Sequence, residues 1–359
     1  MKFLFTITTL FSLLYFSSFK FPEITNSSSY ETVIKSGVQK NCTTDKKGND
    51  TFDEPVIGAD ISWVQQQEDH GTVFSDNGEK ADVLDILKKY KFNWIRLRLF
   101  VNPTAENGYS KEGFCDLEHT LKMAKRIKAK GMKFLLDFHY SDTWADPGKQ
   151  FIPTAWKKDT TKTAMEQVIY QYTKNVLERL KAQGTAPDMV QVGNEINHGF
   201  LWPYGKIGQS WDFFGAVLRT ASKAVKDVDP NSKVMIHIAL GGQNQKSIYF
   251  LNKIIQASVQ FDVIGESYYP KYHGTLDELK ANLADLGKRY NKPIIVVEYA
   301  NLRKEVNDVV ANLPKNIGLG TFIWEATSPR WGDLFDKDGN TNSNIKIYPK
   351  IYQEYKERP

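Results

Sequence analysis

The chain has 359 residues, of which 41% are hydrophobic, 25% are charged and 13% are aromatic. This composition is typical of a soluble globular protein and excludes a fully disordered chain. The net charge is +5, from 47 basic and 42 acidic residues, and no block is rich in Lys and Arg. The sequence therefore does not favour nucleic acid or an anionic membrane surface as a partner.

The N-terminal segment, residues 1–19, is predicted to be a secretory signal peptide. After Lys2 comes an uncharged run, FLFTITTLFSLLYFSSF, that begins apolar and fades into small polar residues. The alternative is a membrane anchor, but the run is short for a membrane span and contains several Thr and Ser. The protein is therefore expected to be secreted or extracytoplasmic, either at the cell surface or in a periplasm.

Residues 20–55 are polar and show no sustained period, so they are predicted to be an arm or linker. The two cysteines of the chain are too few for a disulfide framework or a metal cluster. In an oxidising compartment, a bond between Cys42 and Cys115 would tie the arm to the rest of the protein, and two free thiols are the alternative.

Residues 56–359 repeat a pattern in which a short apolar run is followed by a polar loop and an amphipathic segment. Helical spacing of the apolar residues predicts helices between the runs, for example LEHTLKMAKRIKAKG at 117–131. Such alternation implies a parallel sheet that is covered on both faces. Eight apolar runs predict strands at 56–61, 94–100, 133–139, 189–195, 233–239, 261–267, 293–299 and 320–325.

Eight strand–helix units over about 300 residues predict a (β/α)8 TIM barrel. A doubly wound open sheet is the alternative, but it calls for a glycine-rich phosphate-binding motif after the first strand, which GADISW is not. Reactive side chains of a barrel come from the C-terminal ends of its strands. Here those ends carry Asp60, Arg96, Arg98, Asp137, His139, Asn194, Glu195, His237, Glu266, Tyr268, Glu298, Trp324 and Glu325.

Glu195 and Glu298 form the most informative pair, because the fourth and seventh strands face each other across a closed barrel. Two carboxyl groups that reach inward from there can approach to about 5–5.5 Å, the separation used in retaining glycoside hydrolysis. One must be protonated as the general acid and the other ionised as the nucleophile. Asn194 could bind a substrate hydroxyl, and Arg96 could keep the seventh-strand carboxylate ionised.

Aromatic side chains crowd the same loops, and they favour a carbohydrate-binding cleft over the alternative that they form an outer core. Sugars stack their C–H faces on such rings and need polar partners for their hydroxyls. The rings belong to Trp63, Trp144, Trp202, Tyr204, Tyr268, Tyr269, Tyr272, Tyr299, Trp324 and Trp331.

Six segments resemble glycoside hydrolase family 53, in the expected order from about residue 56 to residue 355. The members of this family are secreted endo-β-1,4-galactanases that act on pectic galactan and type I arabinogalactan, and they belong to a clan of retaining barrel glycosidases. The segments are GADIS (58–62), RLRLF (96–100), DFHYSDTWADPGKQ (137–150), VGNEINHGFLWP (192–203), DVIGESYYPKYHGTL (262–276) and VVEYA (296–300).

The resemblance implies an arabinogalactan endo-β-1,4-galactanase in which Glu195 is the acid/base and Glu298 is the nucleophile. It further implies that Tyr268 positions the nucleophile and that Trp324 is an aromatic platform. No metal and no cofactor are expected, and we expect a monomer without a membrane span whose partner is galactan or arabinogalactan. Substrate binding is assigned to Arg96, His139, Asp142, Trp144, Asn194, Trp202, Tyr268 and Trp324.

Three departures from the family pattern lie near the expected cleft. The family usually reads SYYPFWHG where this chain has Lys271 and Tyr272, and the loops after the seventh and eighth strands are expected to be short. Glu266 is an additional carboxylate, expected to be a spare sugar ligand rather than a competitor for the role of the nucleophile. These changes predict a more open distal cleft, and they leave two alternatives: a β-glycanase of the same clan with another substrate, or a non-catalytic carbohydrate-binding barrel.

Overall fold

The computed structural model describes residues 52–159 and 161–358. The predicted signal peptide, the arm up to residue 51 and Cys42 lie outside these residues and stay predictions. Cys115 is buried and has no disulfide partner among the described residues. Within the described residues, no helix is long and apolar enough to cross a membrane.

Eight parallel strands close into the predicted TIM barrel. They are β1 (Val56–Asp60), β4 (Trp94–Leu99), β5 (Lys133–Phe138), β6 (Met189–Val192), β7 (Lys233–Ile238), β8 (Val263–Ser267), β9 (Ile294–Tyr299) and β10 (Gly318–Ile323). Their order around the barrel is β1-β10-β9-β8-β7-β6-β5-β4. Strands β2 (Ser75–Asp76) and β3 (Glu79–Lys80) form a separate antiparallel hairpin.

Five of the ten α-helices among the described residues begin with a side-chain cap. Asp116, Thr161 and Ser210 each accept a backbone N–H at the start of a helix, and Thr275 forms a capping box with Glu278. The α-helices are α1 (Val64–Asp69), α2 (Val83–Lys89), α3 (Leu117–Ala129), α4 (Lys162–Ala182), α5 (Trp211–Val228), α6 (Asn244–Gln256), α7 (Pro270–His273), α8 (Leu276–Tyr290), α9 (Arg303–Ala311) and α10 (Tyr348–Glu357), with 3₁₀ turns at Thr154–Trp156 and Ser343–Ile347.

The barrel interior is apolar at its N-terminal end and polar at its C-terminal end. Phe52 packs against Trp94 at that apolar end, with ring centroids 6.1 Å apart. Gly58 gives room to Phe322, because a Cβ there would lie 2.2 Å from the phenyl ring. The interior cluster consists of Val56, Trp94, Leu135, Met189, Met235, Val263, Ile295, Val297, Leu319 and Phe322. Polar chemistry is therefore confined to the opposite end.

A β-bulge in β9 changes the register just before the C-terminal end of the strand. Glu266 of β8 pairs with Val296, but the next residue, Ser267, pairs with Glu298, so that Val297 is the extra residue. Val297 belongs to the interior cluster. Because of the bulge, Glu298 also reaches the interior, although strict alternation would turn it towards the helices.

The two loops that were expected to be short differ in length. The connection from β9 to α9 is only residues 300–302. The segment after β10, however, runs over residues 324–342 before the 3₁₀ turn, so the expectation of a short loop is wrong there. This segment folds back on the β2–β3 hairpin, where Thr341 donates to Asp76 Oδ1 at 2.6 Å.

Candidate active site

Glu195 lies in a tight turn that begins where β6 ends at Val192. Gly193 has φ of +92° and Glu195 has φ of +49°, so this turn uses the left-handed region twice. A Cβ on Gly193 would lie 2.6 Å from Ile196, which explains the glycine. The Glu195 carboxyl group is buried, and its Oε1 accepts a hydrogen bond from Ser267 Oγ at 2.7 Å.

Glu298 projects from the bulged end of β9 towards Glu195. Arg96 Nη1 donates to its Oε2 at 3.3 Å, and the hydroxyl of Tyr269 donates to its Oε1 at 3.2 Å. One carboxylate oxygen of Glu298 and one of Glu195 lie within 4.8 Å of each other. The structure therefore brings together the two carboxyl groups that the sequence placed at the C-terminal ends of two facing strands.

Arg96 is the centre of a buried network that fixes this arrangement. Its Nη1 also donates to Asp60 Oδ2 at 3.1 Å, and its Nη2 donates to Asp137 Oδ2 and to Asn194 Oδ1, each at 2.8 Å. Three nearby carboxylates, of Asp137, Glu298 and Asp60, raise the pKa of Arg96 above its usual value despite its burial. The guanidinium is therefore a permanent positive charge beside Glu298.

The two carboxyl groups have different proton affinities. Burial, followed by the charge of Glu298, raises the pKa of Glu195 well above its usual value, and the hydrogen bond from Ser267 only partly offsets this. Burial raises the pKa of Glu298 to about 7, and Arg96 opposes that shift. Near neutral pH the pair can hold one proton, on Glu195, and one negative charge, on Glu298.

His237 lies behind both carboxyl groups. Its Nε2 is 2.8 Å from Ser267 Oγ, and its Nδ1 is 2.9 Å from Asn194 Oδ1. Burial and the nearby Arg96 hold the pKa of His237 well below its usual value, so the ring is neutral. Ser267 thus connects a neutral imidazole to the carboxyl group of Glu195.

Glu195, His237 and Glu298 each place one ligand atom within 4.8 Å of the others, a spacing that could hold a metal ion. A cation there would lie beside the Arg96 guanidinium, which already contacts Glu298. It would also displace Ser267 from His237 Nε2. This set of donors therefore fits a pair of reacting carboxyl groups better than a metal site.

Asn194 and His139 line the same pocket but differ in the donors they leave for a ligand. Asn194 uses one amide hydrogen on Ala145 O at 2.9 Å, and its second amide hydrogen has no protein acceptor among the described residues. In His139, Nδ1 accepts from Ala145 N at 3.2 Å and Nε2 lies 3.1 Å from Asp137 Oδ2. Asn194 can therefore donate to a sugar hydroxyl, whereas His139 orders the protein around Asp137.

Three of the residues assigned to substrate binding are tryptophans in loops, and all three are half-buried. Trp144 and Trp324 are half-buried and lie 6.2 Å apart at the rim of the barrel. Trp202 is also half-buried, and its backbone is tied to the Glu195 turn through Gln150, which donates to Asn194 O at 2.7 Å.

The carboxylate of Asp142 is buried between two loops, and its assignment as a sugar ligand stays a prediction. Its two oxygens accept backbone N–H groups of Asn102 at 3.0 Å and Thr154 at 2.8 Å. The side chain therefore holds two loops together.

The expected roles of Tyr268 and Glu266 are corrected by the directions of the side chains in β8 and directly after it. The hydroxyl of Tyr268 donates to Gly274 O at 3.0 Å, and Tyr269 is the tyrosine that contacts Glu298. Glu266 points away from the cleft towards α6 and α8, where it accepts from Ser247 Oγ at 3.1 Å. Burial raises the pKa of Glu266 to about 8, so it is not a sugar ligand but a mostly protonated interior group.

The sequence analysis did not predict Ser267, and it named Tyr269 only among the aromatic rings, not as a contact of Glu298. Alternate residues of a strand share a face, and Val263 belongs to the interior cluster. Counting by twos from Val263 would have placed Ser267 and Tyr269, rather than Glu266 and Tyr268, on the face of the active site.

The chain is similar to a known protein family and to several known proteins. The model of glycosyl hydrolase family 53 matches residues 56–308. A Niallia circulans protein described as an uncharacterized protein in the bgaB 5′ region is 38% identical over 317 residues, which cover 77% of this chain and 84% of that protein. Arabinogalactan endo-β-1,4-galactanase A of Aspergillus niger is 37% identical over 324 residues, which cover 81% and 89% of the two chains.

Among solved structures, the GH53 catalytic domain of Ignisphaera aggregans is similar with a TM-score of 0.76 and 34% identity. The likeness covers 82% of this chain and 95% of that domain. The matched region contains β1 to β9 and both buried glutamates. This chain therefore belongs to glycosyl hydrolase family 53 and is a glycoside hydrolase built on a TIM barrel.

Proposed function

We propose that this hydrolase is a retaining endo-β-1,4-galactanase that cleaves β-1,4-galactosidic bonds in pectic galactan and type I arabinogalactan. The substrate is supported by family membership and by the name of the Aspergillus niger relative. The observation that supports the mechanism is the approach of Glu195 and Glu298 to within 4.8 Å, which is close to the separation of about 5–5.5 Å in retaining glycosidases and shorter than the roughly 6.5–9.5 Å of inverting ones.

In the first step, the Glu298 carboxylate attacks the anomeric carbon while Glu195 gives its proton to the departing glycosidic oxygen. The C–O bond to the leaving sugar breaks, and an ester between the galactosyl group and Glu298 forms. Arg96 and Tyr269 hold the attacking carboxylate in place through the contacts to its two oxygens. Asn194 is placed to donate to a hydroxyl of the reacting sugar.

In the second step, Glu195 accepts a proton from water, and the water oxygen attacks the same anomeric carbon. The ester to Glu298 breaks, which regenerates both carboxyl groups in their starting protonation states. The Ser267 hydroxyl supports this exchange because it donates to Glu195 and stabilises the ionised form that exists between the two steps.

We also propose that the enzyme is exported and acts as a monomer outside the cytoplasm. Support for export comes from the sequence of residues 1–19, which has the charge and hydrophobicity pattern of a signal peptide. A polymeric substrate that cannot enter the cell is consistent with this location.

The test is product analysis of the purified enzyme on galactan, arabinogalactan, mannan and β-glucan, with the Glu298→Gln variant from the same preparation as the blank. We expect galacto-oligosaccharides of several lengths from the first two polymers only. Release of sugars from mannan or glucan instead would favour another β-glycanase of the clan. Tight binding to galactan without products would favour the non-catalytic alternative.

A further inference from the structure

A second buried arginine, Arg98, lies next to the catalytic network but does not contact either carboxyl group of the reacting pair. It follows Arg96 by two residues in β4, so both side chains lie on the same face of the strand. Its Nη1 contacts Glu325 Oε1 and lies 3.6 Å from Asp60 Oδ1. Arg98 is 1% exposed and Glu325 is fully buried.

The flat guanidinium of Arg98 supports three aromatic rings. Its central carbon lies 4.5 Å from the ring centroid of Trp144, 5.4 Å from that of Tyr109 and 5.5 Å from that of Trp63. Its Nη2 donates to the Tyr109 hydroxyl at 3.2 Å, and the same hydroxyl accepts from Trp63 Nε1 at 2.6 Å. One arginine therefore fixes the orientation of all three side chains.

These rings belong to a larger group at the rim, which we call the aromatic wall: Trp63, Tyr109, Trp144, Trp324 and Trp331. Trp324 joins Trp63 and Trp144, with centroids 6.1 Å and 6.2 Å apart, and Trp331 lies 4.7 Å beyond Trp324. Every ring of the wall is half-buried, so part of each one faces solvent. The wall adjoins the cleft because Trp144 also packs on His139, at 6.1 Å.

We propose that Arg98 is a positioning residue that holds the aromatic wall in the orientation in which it stacks on the sugar chain. A buried ion pair is a weak source of stability, because the cost of desolvation offsets most of the attraction. A planar cation among three rings, by contrast, fixes their angles through cation–π contacts that strengthen when desolvated. The nature of the ligand, a β-galactan chain, rests on the proposed function.

Lysine at this position separates the two roles of Arg98. Arg98→Lys keeps a positive charge beside Glu325 and Asp60 but loses the planar group that stacks on the rings. The double variant Arg98→Met/Glu325→Gln removes the charge pair together, which avoids an unpaired buried charge. The matched control is Arg126→Lys, since Arg126 makes a two-point ion pair with Glu68, at 2.6 and 2.9 Å, outside the active site.

The measurement is kcat and KM on galacto-oligosaccharides, with the folded fraction determined for each variant by thermal unfolding. We expect Arg98→Lys and the double variant to raise KM roughly ten-fold, the size of a desolvated cation–π contact, while kcat per folded enzyme changes less than about three-fold. Arg126→Lys should leave both constants unchanged. When each Arg98 variant is combined with Glu298→Gln, its affinity for the oligosaccharide should fall by a similar factor.

An unchanged KM in both Arg98 variants would overturn the proposal, and so would a loss of kcat that follows the folded fraction alone. If the wild-type enzyme does not hydrolyse galactan, the galactanase proposal fails. The same comparison then uses the β-glycan that the wild-type enzyme does hydrolyse, so that the two failures are distinguishable.

Discussion

Glu195 and Glu298 act in different steps, so their substitutions have different consequences. Glu298→Ala should lower kcat on every substrate by on the order of 10⁴–10⁶-fold, because no glycosyl ester can form. Glu195→Ala should still release the aryl group of an activated aryl β-galactoside quickly, since a good leaving group needs little protonation. Its turnover should then be slow because no base activates water, and stopped-flow absorbance would record a burst followed by a slow phase.

Glu266 supplies the matched control for these variants. It is a buried carboxyl group close in sequence to the active site, yet it faces α6 and α8 and is mostly protonated at neutral pH. Glu266→Gln should therefore keep kcat/KM within about two-fold of the wild-type value. Equal behaviour of the Glu195 and Glu298 variants with the aryl substrate would contradict the assignment of roles.

The pH dependence of kcat/KM should be bell-shaped. Glu298 must be ionised to attack, and its pKa is raised to about 7, so activity should fall as the pH decreases through that value. Glu195 must be protonated, and its pKa is raised well above the usual range, so activity should fall as the pH increases through that raised pKa.

Substitutions of Tyr269 and Tyr268 test which tyrosine affects the pKa of Glu298, and therefore the acidic limb of the pH profile. Tyr269→Phe removes a hydrogen bond that favours the ionised form of Glu298, so the pKa of Glu298 should rise and the acidic limb should move up by about one pH unit. Tyr268→Phe removes a hydroxyl that reaches only Gly274 and should leave the limb in place. A shift with Tyr268→Phe alone would contradict the structural correction.

The sequence located Glu195 and Glu298 at strand ends because each directly follows an apolar run. It assigned Tyr268 rather than Tyr269 to the nucleophile, because no local signal shows which residues of β8 face inward. That face is known only once Val263 is placed in the barrel interior. The inward direction of Glu298 depends on the bulge at Val297, which arises from pairing with a distant strand and has no local signal.

The open-cleft prediction concerns the side of the barrel formed by α7 and the β9–α9 connection, which is short. Lys271 and Tyr272 on α7 are exposed, with the Lys271 ammonium 5.3 Å from the ring of Tyr272. The neighbouring connection has only residues 300–302. The segment 324–342, however, gives the β10 side a substantial loop, so the open-cleft expectation applies to the α7 side alone.

Lys271→Phe should steepen the rise of kcat/KM with the length of galacto-oligosaccharide. A phenyl ring offers a flat surface to a distal sugar, and the added binding energy can be used in the transition state. The measurement is kcat/KM for a series of increasing chain length, with Lys280→Phe on the exposed side of α8 as the control for an added aromatic. A steep rise already present in the wild-type enzyme, or no effect of Lys271→Phe, would contradict an open α7 side.

The elements themselves were largely readable from periodicity. All eight barrel strands were predicted, and helix α3 begins at the predicted residue, Leu117, because the Asp116 side chain accepts the backbone N–H of His119 at its start. The β2–β3 hairpin was not predicted, since two-residue strands have no periodicity. The long segment after β10 was missed because it contains no regular element between Trp324 and Asn342.

At the scale of the whole molecule, the apolar residues that stabilise the barrel and the charged residues of the active site lie at opposite ends of its interior. Apolar side chains fill the N-terminal half of the interior, and the buried charges of Asp60, Arg96, Asp137 and Glu298 lie at the C-terminal half. Helices are packed around a closed sheet, so these charges are held on rigid strands rather than on mobile loops. Glu298 is on one of these strands, and Ser267 of β8 donates a 2.7 Å hydrogen bond to Glu195 in the turn after β6, so the fold holds the short separation on which the proposed retention depends.

The stereochemistry of the first products tests this central claim most directly. Proton NMR during the first minutes of galactan hydrolysis resolves the α and β anomers of each new reducing end before they interconvert. Two displacements at one carbon restore the starting configuration, so the β anomer should appear first and the α anomer should grow in later. An α anomer formed first would contradict double displacement by Glu298 and Glu195.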